Sequence, residues 1–262
     1  MATPDLKGKY ALITGASSGL GVDFARNLAA RGCNLILVAR REDLLRSLQQ
    51  GLMGQYGVEV HVVPLDLTAP DAPQTLYDWT KEHGKAVDIL INNAGFGLYG
   101  PFVEIPWERE KNMLELDIVT LVHLTKLFVR EMVARNFGYI LHIASIGAYQ
   151  PSPLYASYSA AKSFVLNFGE ALNYELRKTN VHSTVLSPGI TATEFLKVSG
   201  QQPTLYQRLT MMRSADVARI GIDHMLKGRP SVVPGRFNAL LTWSNRLIPR
   251  RLSAAISYRL MV

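Results

Sequence analysis

The stretch Lys9-Tyr10-Ala11-Leu12-Ile13-Thr14-Gly15-Ala16-Ser17-Ser18-Gly19-Leu20-Gly21 runs from an apolar segment through a glycine-spaced turn into a helical pattern continued by Phe24, Leu28 and Ala29. A short apolar run closed by glycine reads as a parallel strand buried on both faces. The glycines let the backbone turn sharply and approach a pyrophosphate, and the helix behind them offers free N–H groups to an anion. The spacing is GxxxGxG rather than the commoner GxGxxG, so the flanking strand and helix carry as much of the reading as the glycines.

The same alternation continues outward. Residues 34–39 (NLILVA) read as a second strand, followed by Arg40-Arg41. A site for NAD usually places a carboxylate near this point to bond the ribose 2′-hydroxyl. Ala39 and Arg40 stand there instead, and a guanidinium suits a 2′-phosphate, so NADP(H) is expected over NAD(H). Residues 44–56 form an amphipathic helix through Leu44, Leu45, Leu48 and Leu52. Residues 58–65 give a third strand ending in Asp66, which can accept a bond from an adenine amino group or simply cap a helix. After a helix at 71–83, the strand at 87–91 leads into Asn92-Asn93-Ala94-Gly95, whose small residues leave room for a flat ring.

Residues 106–135 form a long helical stretch, with His123 a surface or packing residue, and 139–144 a fifth strand ending at Ser145. The sixth strand, 181–186, runs into Ser187-Pro188-Gly189-Ile190-Thr191-Ala192-Thr193. From 194 to 213 the pattern is irregular, with Gly200 and Pro203, and a mobile lid over 190–213 is expected; 214–226 is helical again. No linker, repeat or low-complexity segment intervenes. Strand and helix alternate six times, which predicts an α/β chain with a single doubly wound, mostly parallel sheet and helices on both faces.

Between the fifth and sixth strands, Tyr158-Ser159-Ala160-Ala161-Lys162 lies within a helical run at 155–175. Residues four apart share a helix face. A phenol ionises near pH 10 and serves as an acid–base group only when its anion is stabilised, which a lysine one turn away can do.

Composition narrows the possibilities. The 262 residues are 48% hydrophobic and 19% charged, enough for a sizeable core. Cys33, the one cysteine, excludes an intrachain disulfide and reads as a packing residue in a reducing compartment. The opening MATPDLKGKY has no apolar h-region, and no run of about 18 apolar residues follows, so neither a secretory signal nor a spanning helix is expected. A cytoplasmic location, with contact at a membrane surface as an option, fits these features. The net charge of +7 resides in the tail: after Asp223 there is no acid, while Lys227, Arg229, Arg236, Arg246, Arg250, Arg251 and Arg259 follow. The body is close to neutral, so the basic balance does not indicate nucleic-acid binding. The extension at 228–262 spaces Phe237, Leu240, Leu241, Leu247 and Ile248 as a basic amphipathic helix, and Leu252, Ala255, Ile256 and Leu260 repeat the pattern. Peripheral membrane contact, a substrate-pocket wall and a subunit contact are its three readings.

With TGASSGLG at 14–21, NNAG at 92–95, Ser145, YSAAK at 158–162 and SPGITAT at 187–193, the chain resembles the short-chain dehydrogenase/reductase family over about residues 7–226. The resemblance implies a single Rossmann-type domain and an NADP-dependent carbonyl reductase or alcohol dehydrogenase with no metal. Tyr158 would donate a proton to a carbonyl oxygen or take one from an alcohol. Lys162 would lower the Tyr158 pKa and bond the nicotinamide ribose, and Ser145 would hold the substrate oxygen. Gly15, Ser17, Gly19 and Leu20 would line the pyrophosphate, Asp66 the adenine, Asn92 the ribose, and Ile190 and Thr193 the carboxamide. Ser18, Arg40, Arg41, Leu67, Ala94, Gly95, Pro188 and Gly189 complete the expected cofactor contacts.

One position departs from the family, whose fourth catalytic residue is an Asn in the long helix; Asp117 stands there. Its backbone carbonyl is kept, and two readings stand: a carboxylate near Lys162 would partly offset the ammonium's effect on Tyr158, or the side chain points away and only the carbonyl matters. Phe96, Leu98, Tyr149, Tyr155 and the lid suggest an apolar substrate pocket. Pairing of the helices at 106–135 and 155–178 into a homodimer or homotetramer is also implied. The rival readings are a non-catalytic NADP-binding regulator and a membrane-surface module.

Overall fold

The computed structural model describes residues 4–202 and 204–261; Pro203 lies outside them. Seven strands form one sheet in the order β3-β2-β1-β4-β5-β6-β7, and every pairing is parallel. They are β1 (Tyr10–Thr14), β2 (Asn34–Ala39), β3 (Val60–Pro64), β4 (Val87–Asn92), β5 (Gly138–Ile143), β6 (Val181–Leu186) and β7 (Ser231–Val232). The chain winds outward from β1 to β3, then restarts at β4 on the other side of β1. That reversal opens a crevice at the carboxyl ends of β1 and β4, where such sheets bind their ligands. The seventh strand was not expected; it has only two residues, held by Val185 and Leu186 of β6, too short for any pattern.

Alternate strand residues feed two cores. On one face Ile13, Leu35, Leu37 and Leu141 pack against α1 (Gly19–Ala29), α2 (Glu42–Tyr56) and α9 (Ser214–Leu226) through Phe24, Leu28, Leu45, Leu52 and Ile222. On the other, Leu12, Ile36, Leu90 and Ile140 meet α3 (Ala72–Glu82) and α5 (Leu121–Ala134) through Leu76, Leu124 and Phe128. Cys33 is fully buried in the first core, and burial pushes its thiol up to about 12, so it is inert packing.

The long helical stretch is continuous but irregular. It begins as α4 (Trp107–Leu114), passes through a π-helical turn at Glu115–Thr120 and continues as α5. Such a turn accommodates one residue more than an α-helical turn does and recurs at functional sites. The helix α6 (Ala156–Glu175) follows β5. The segment expected to be irregular carries two short helices, α7 (Phe195–Ser199) and α8 (Leu205–Thr210). The second begins in a capping box that the sequence does contain: Gln207 N donates to Thr204 Oγ1 at 3.3 Å and Thr204 N donates to Gln207 Oε1 at 3.1 Å. Two further helices, α10 (Arg236–Ser244) and α11 (Arg250–Met261), end the chain.

Candidate active site

A cleft of about 760 Å³ lies along the carboxyl edge of the sheet. Its floor is built by the turn after β1. Gly15 and Gly19 take left-handed backbones, with φ of +66° and +53°. A Cβ at Gly15 would sit 2.8 Å from Asn93 Nδ2, and one at Gly21 only 2.2 Å from the Gly15 carbonyl oxygen, so neither site admits a side chain. Ser18 precedes α1 without capping it by its side chain, which leaves the N–H groups of the first turn open to an anion. This cradle fits a dinucleotide pyrophosphate. Thr14 Oγ1, which sequence reading passed over, accepts the N–H groups of Asn93 at 3.0 Å and Ala94 at 2.9 Å and donates to Ile91 O at 3.2 Å. Asn93 Nδ2 donates to Thr14 O at 2.9 Å. The glycine turn and the loop after β4 are therefore fastened to each other.

Of the expected cofactor contacts, Gly15, Ser17, Ser18, Gly19, Leu20, Arg40, Arg41, Asp66, Leu67, Ala94, Gly95, Tyr158, Lys162, Pro188, Gly189, Ile190 and Thr193 all border the cleft. Arg41 Nε donates to Ser17 Oγ at 3.3 Å and its Nη2 meets Glu194 at 3.1 Å. Arg40, three-quarters exposed, lies 3.9 Å from Asp66. Asn92 does not border the cleft. Its side chain turns inward, donating to Thr125 Oγ1 at 2.9 Å and lying 3.2 Å from His142 Nδ1. It sits at the last position of β4, where alternation points it to the helix layer. His142 is fully buried and held neutral, its pKa lowered to about 3 by burial.

Ser145, Tyr158 and Lys162 meet at the other end. Ser145 follows β5, and its Oγ accepts Gly147 N at 3.1 Å, which fixes the hydroxyl at the mouth of the next turn. Lys162 stands one turn after Tyr158 on α6, its Nζ 5.6 Å from the phenol ring centre. That ammonium donates to Ile143 O at 3.1 Å and lies 3.0 Å from Asp117 Oδ2, a close ion pair rather than an aligned hydrogen bond. Burial raises the Tyr158 pKa, the Asp117 charge adds to the rise, and a hydrogen bond with Ser145 opposes it. The resting phenol is therefore protonated, a proton donor awaiting an acceptor.

Asp117 is fully buried in the π-helical turn and does not border the cleft. Its carboxylate meets the site through Lys162, 3.0 Å away. Burial raises its pKa, while Lys162 and the Phe96 N–H, which donates to Oδ1 at 3.1 Å, oppose the rise. A Cβ at Gly95 would lie 2.7 Å from that same oxygen, so the glycine of NNAG makes room for this carboxylate.

Phe96 and Tyr155 line the cleft as expected, whereas Leu98 and Tyr149 do not. Tyr155, pushed up to about 12 by burial, has its hydroxyl 3.0 Å from Ser199 Oγ and 2.9 Å from Gln201 Oε1. The tail supplies the far wall: Leu241, Ile248, Ile256 and Leu260 border the same cleft. The Met261 carbonyl is tied to Tyr99 Oη at 3.0 Å and Gln201 Nε2 at 3.4 Å. No cluster of three or more His, Cys, Asp or Glu suited to a metal occurs among the described residues.

Comparison with known proteins agrees with this geometry. The family profile for short chain dehydrogenases matches residues 9–204. A very-long-chain 3-oxoacyl-CoA reductase from Phaeosphaeria nodorum is 35% identical over 196 residues, covering 73% of this chain; the chain spans 58% of that relative's length. A solved 7β-hydroxysteroid dehydrogenase superposes with a TM-score of 0.88 at 25% identity, covering 98% of this chain and 99% of the other. A short-chain dehydrogenase from Sphingobium yanoikuyae in complex with NADPH gives 0.82 at 30% identity, with 91% and 94% covered. One from Burkholderia phymatum in complex with NAD gives 0.81 at 25%, with 92% and 93% covered. The profile covers the glycine turn, Ser145, Tyr158, Lys162 and the loop after β6, and the chain belongs to the short-chain dehydrogenase/reductase family.

Proposed function

We propose that the protein is an NADP(H)-dependent oxidoreductase acting on a carbonyl, or the corresponding secondary alcohol, of an apolar substrate. The observation that carries this reading is the convergence of Ser145, Tyr158 and Lys162 at one end of a cleft whose other end is the glycine cradle flanked by Arg40 and Arg41. The cofactor, when bound, supplies or accepts the hydride. In reduction, the Tyr158 hydroxyl gives its proton to the carbonyl oxygen while the Ser145 hydroxyl bonds that same oxygen. Lys162 stabilises the phenolate left behind; in oxidation the phenolate takes the alcohol proton. A regulator that binds NADP without turnover would have no need of a buried lysine ion-paired beside a protonated phenol. The residues 190–213 act as the substrate lid in this reading, and 228–262 as the far wall.

Phe96, Ile190, Phe195, Leu241, Ile256 and Leu260 give the substrate end an apolar lining. Relatives named for long acyl chains and hydroxysteroids support the same class. A panel of sterol, long-chain and aromatic ketones, followed by NADPH absorbance, tests the proposal. Consumption of NADPH with an apolar ketone is the expected result, and none with any member of the panel would overturn it.

For cofactor choice, both arginines stand at the cleft with Ser17, and no carboxylate replaces Ala39. Because similar structures hold NADPH or NAD, the preference needs direct measurement. Arg40→Ala/Arg41→Ala is expected to weaken NADP(H) binding about ten- to hundredfold, the value of a lost charge-assisted contact of about 1.5–3 kcal/mol, with little change for NAD(H). Equal dissociation constants for the two cofactors in the parent protein would end this claim.

Homo-oligomerisation through the long helices is proposed with a narrower footing than the sequence suggested. Leu121, Phe128 and Leu166 are spent in the core, leaving Val119 and Phe164 exposed at 51% and 42%. Sedimentation at micromolar concentration is expected to show a dimer or tetramer, which Val119→Asp/Phe164→Asp dissociates. A single 29 kDa species from the parent would refute it.

A further inference from the structure

The two C-terminal helices are amphipathic the wrong way round for a soluble surface. Toward the protein, α10 buries Asn238 and Thr242, and α11 buries Ser253 and Ser257. Toward solvent, they and the turn between them expose Phe237, Leu240, Trp243, Leu247, Leu252 and Tyr258, at 47–72%. Asn245 Nδ2 donates to Gln150 Oε1 at 2.7 Å and the Met261 carbonyl accepts from Tyr99 Oη at 3.0 Å, so the tail is bonded to the body and its orientation is fixed. An exposed apolar group of this extent marks a surface that meets something apolar.

Its surroundings identify what. Arg236, Arg246, Arg250, Arg251 and Arg259 are all exposed, and none forms an ion pair among the described residues. No acidic residue follows Asp223. A second copy docking through the same face would set this arginine cluster against its own image, an arrangement opposed by like charge. An anionic bilayer surface instead complements it, taking aromatic and aliphatic side chains at headgroup depth while the guanidinium groups stay among the phosphates. No described helix is long and apolar enough to cross a membrane, so the contact would be interfacial.

We propose that α10 and α11 form a docking face for the surface of an anionic membrane, seated through Phe237, Leu240, Trp243, Leu247 and Leu252 and held by the flanking arginines. This inference does not depend on the catalytic reading, and its test uses no turnover. The full-length protein is floated with vesicles of phosphatidylcholine alone and of phosphatidylcholine mixed with phosphatidylglycerol. It is expected to rise with the mixed vesicles only and to be released by high salt, which screens the arginines. Arg246→Gln/Arg250→Gln/Arg251→Gln should lower partitioning roughly a hundredfold, at about fivefold per charge. Leu240→Ser/Trp243→Ser/Leu247→Ser, none of which borders the cleft, should abolish flotation while leaving circular dichroism and nicotinamide dinucleotide binding unchanged. If either triple variant misfolds, Leu247→Ser and Arg250→Gln singly carry the same comparison with smaller losses. Failure of the parent to float with anionic vesicles, or flotation of the folded apolar variant at the parent's level, would overturn the proposal. So would loss of a concentration-dependent dimer in that variant without any vesicle binding by the parent, which would assign the face to a protein contact.

Discussion

Replacing Tyr158 with phenylalanine is expected to lower turnover by about 10²–10⁴-fold, the usual worth of a positioned general acid. Cofactor affinity should be nearly unchanged. The substitution keeps the ring, with its neighbours Tyr155 and Phe195 at centroid distances of 5.6 and 5.4 Å, and deletes only the transferable proton. The packing of α6 is therefore not at stake, and a folded protein that binds nicotinamide but does not turn over is the anticipated product. Steady-state rates with NADPH, alongside a fluorescence titration of the cofactor, separate the two quantities. Retention of more than a few per cent of the parent rate would mean that another acid serves the carbonyl.

Asp117 should respond differently to two substitutions. Asp117→Ala leaves the Lys162 ammonium, whose side chain is 7% exposed, with the Ile143 carbonyl as its remaining protein partner. Removing one partner of a buried pair costs about 3–5 kcal/mol, which a urea midpoint would register clearly. Asp117→Asn keeps an oxygen for the Phe96 N–H and removes the charge. The charge on Asp117 helps to raise the Tyr158 pKa, so its loss lowers that pKa. Reduction needs the phenol protonated, and its alkaline fall should move to lower pH. Oxidation needs the phenolate, and its alkaline rise should move the same way. At ~6 Å and an effective dielectric near 20, a quarter of the Coulomb value already gives about half a pH unit. Superimposable profiles for the parent and the Asn variant would show that the carboxylate has no electrostatic part in the reaction.

Six of the strands, the glycine turn and the Tyr158–Lys162 pair were legible because each is a local pattern: an apolar run, a spacing, a one-turn interval. What stayed hidden depends on partners distant in sequence. Asn92 and Asn93 are adjacent and chemically alike, yet one turns into the core toward Thr125 and the other bonds Thr14 and Gly15 across the cleft floor. Only the pleat of β4 decides between them. The closeness of Asp117 to Lys162 came from the family resemblance and not from a local pattern, since it depends on the long helix packing beside α6. The tail's hydrophobic periodicity was visible, but its sense was not, since the pattern alone does not say that Ser253 and Ser257 face inward. Leu241 and Ile248, read as part of that apolar stripe, instead border the cleft.

The π-helical turn at Glu115–Thr120 makes the long helix tolerant of losing one residue where its regular turns are not. Deleting a single residue there would restore ordinary α-helical winding with the two halves of the long helix near their present orientation, whereas a deletion in a regular turn rotates one half against the other by about 100°. After a deletion in a regular turn, Met113 on the first half and Leu124 and Phe128 on the second, all buried, could not keep their seats together. Point substitutions at the outward positions of the turn, such as the half-exposed Val119, face no such penalty. A deletion scan across residues 107–134 should therefore be punished least within these six positions, Asp117 apart, because the turn holds a residue in reserve.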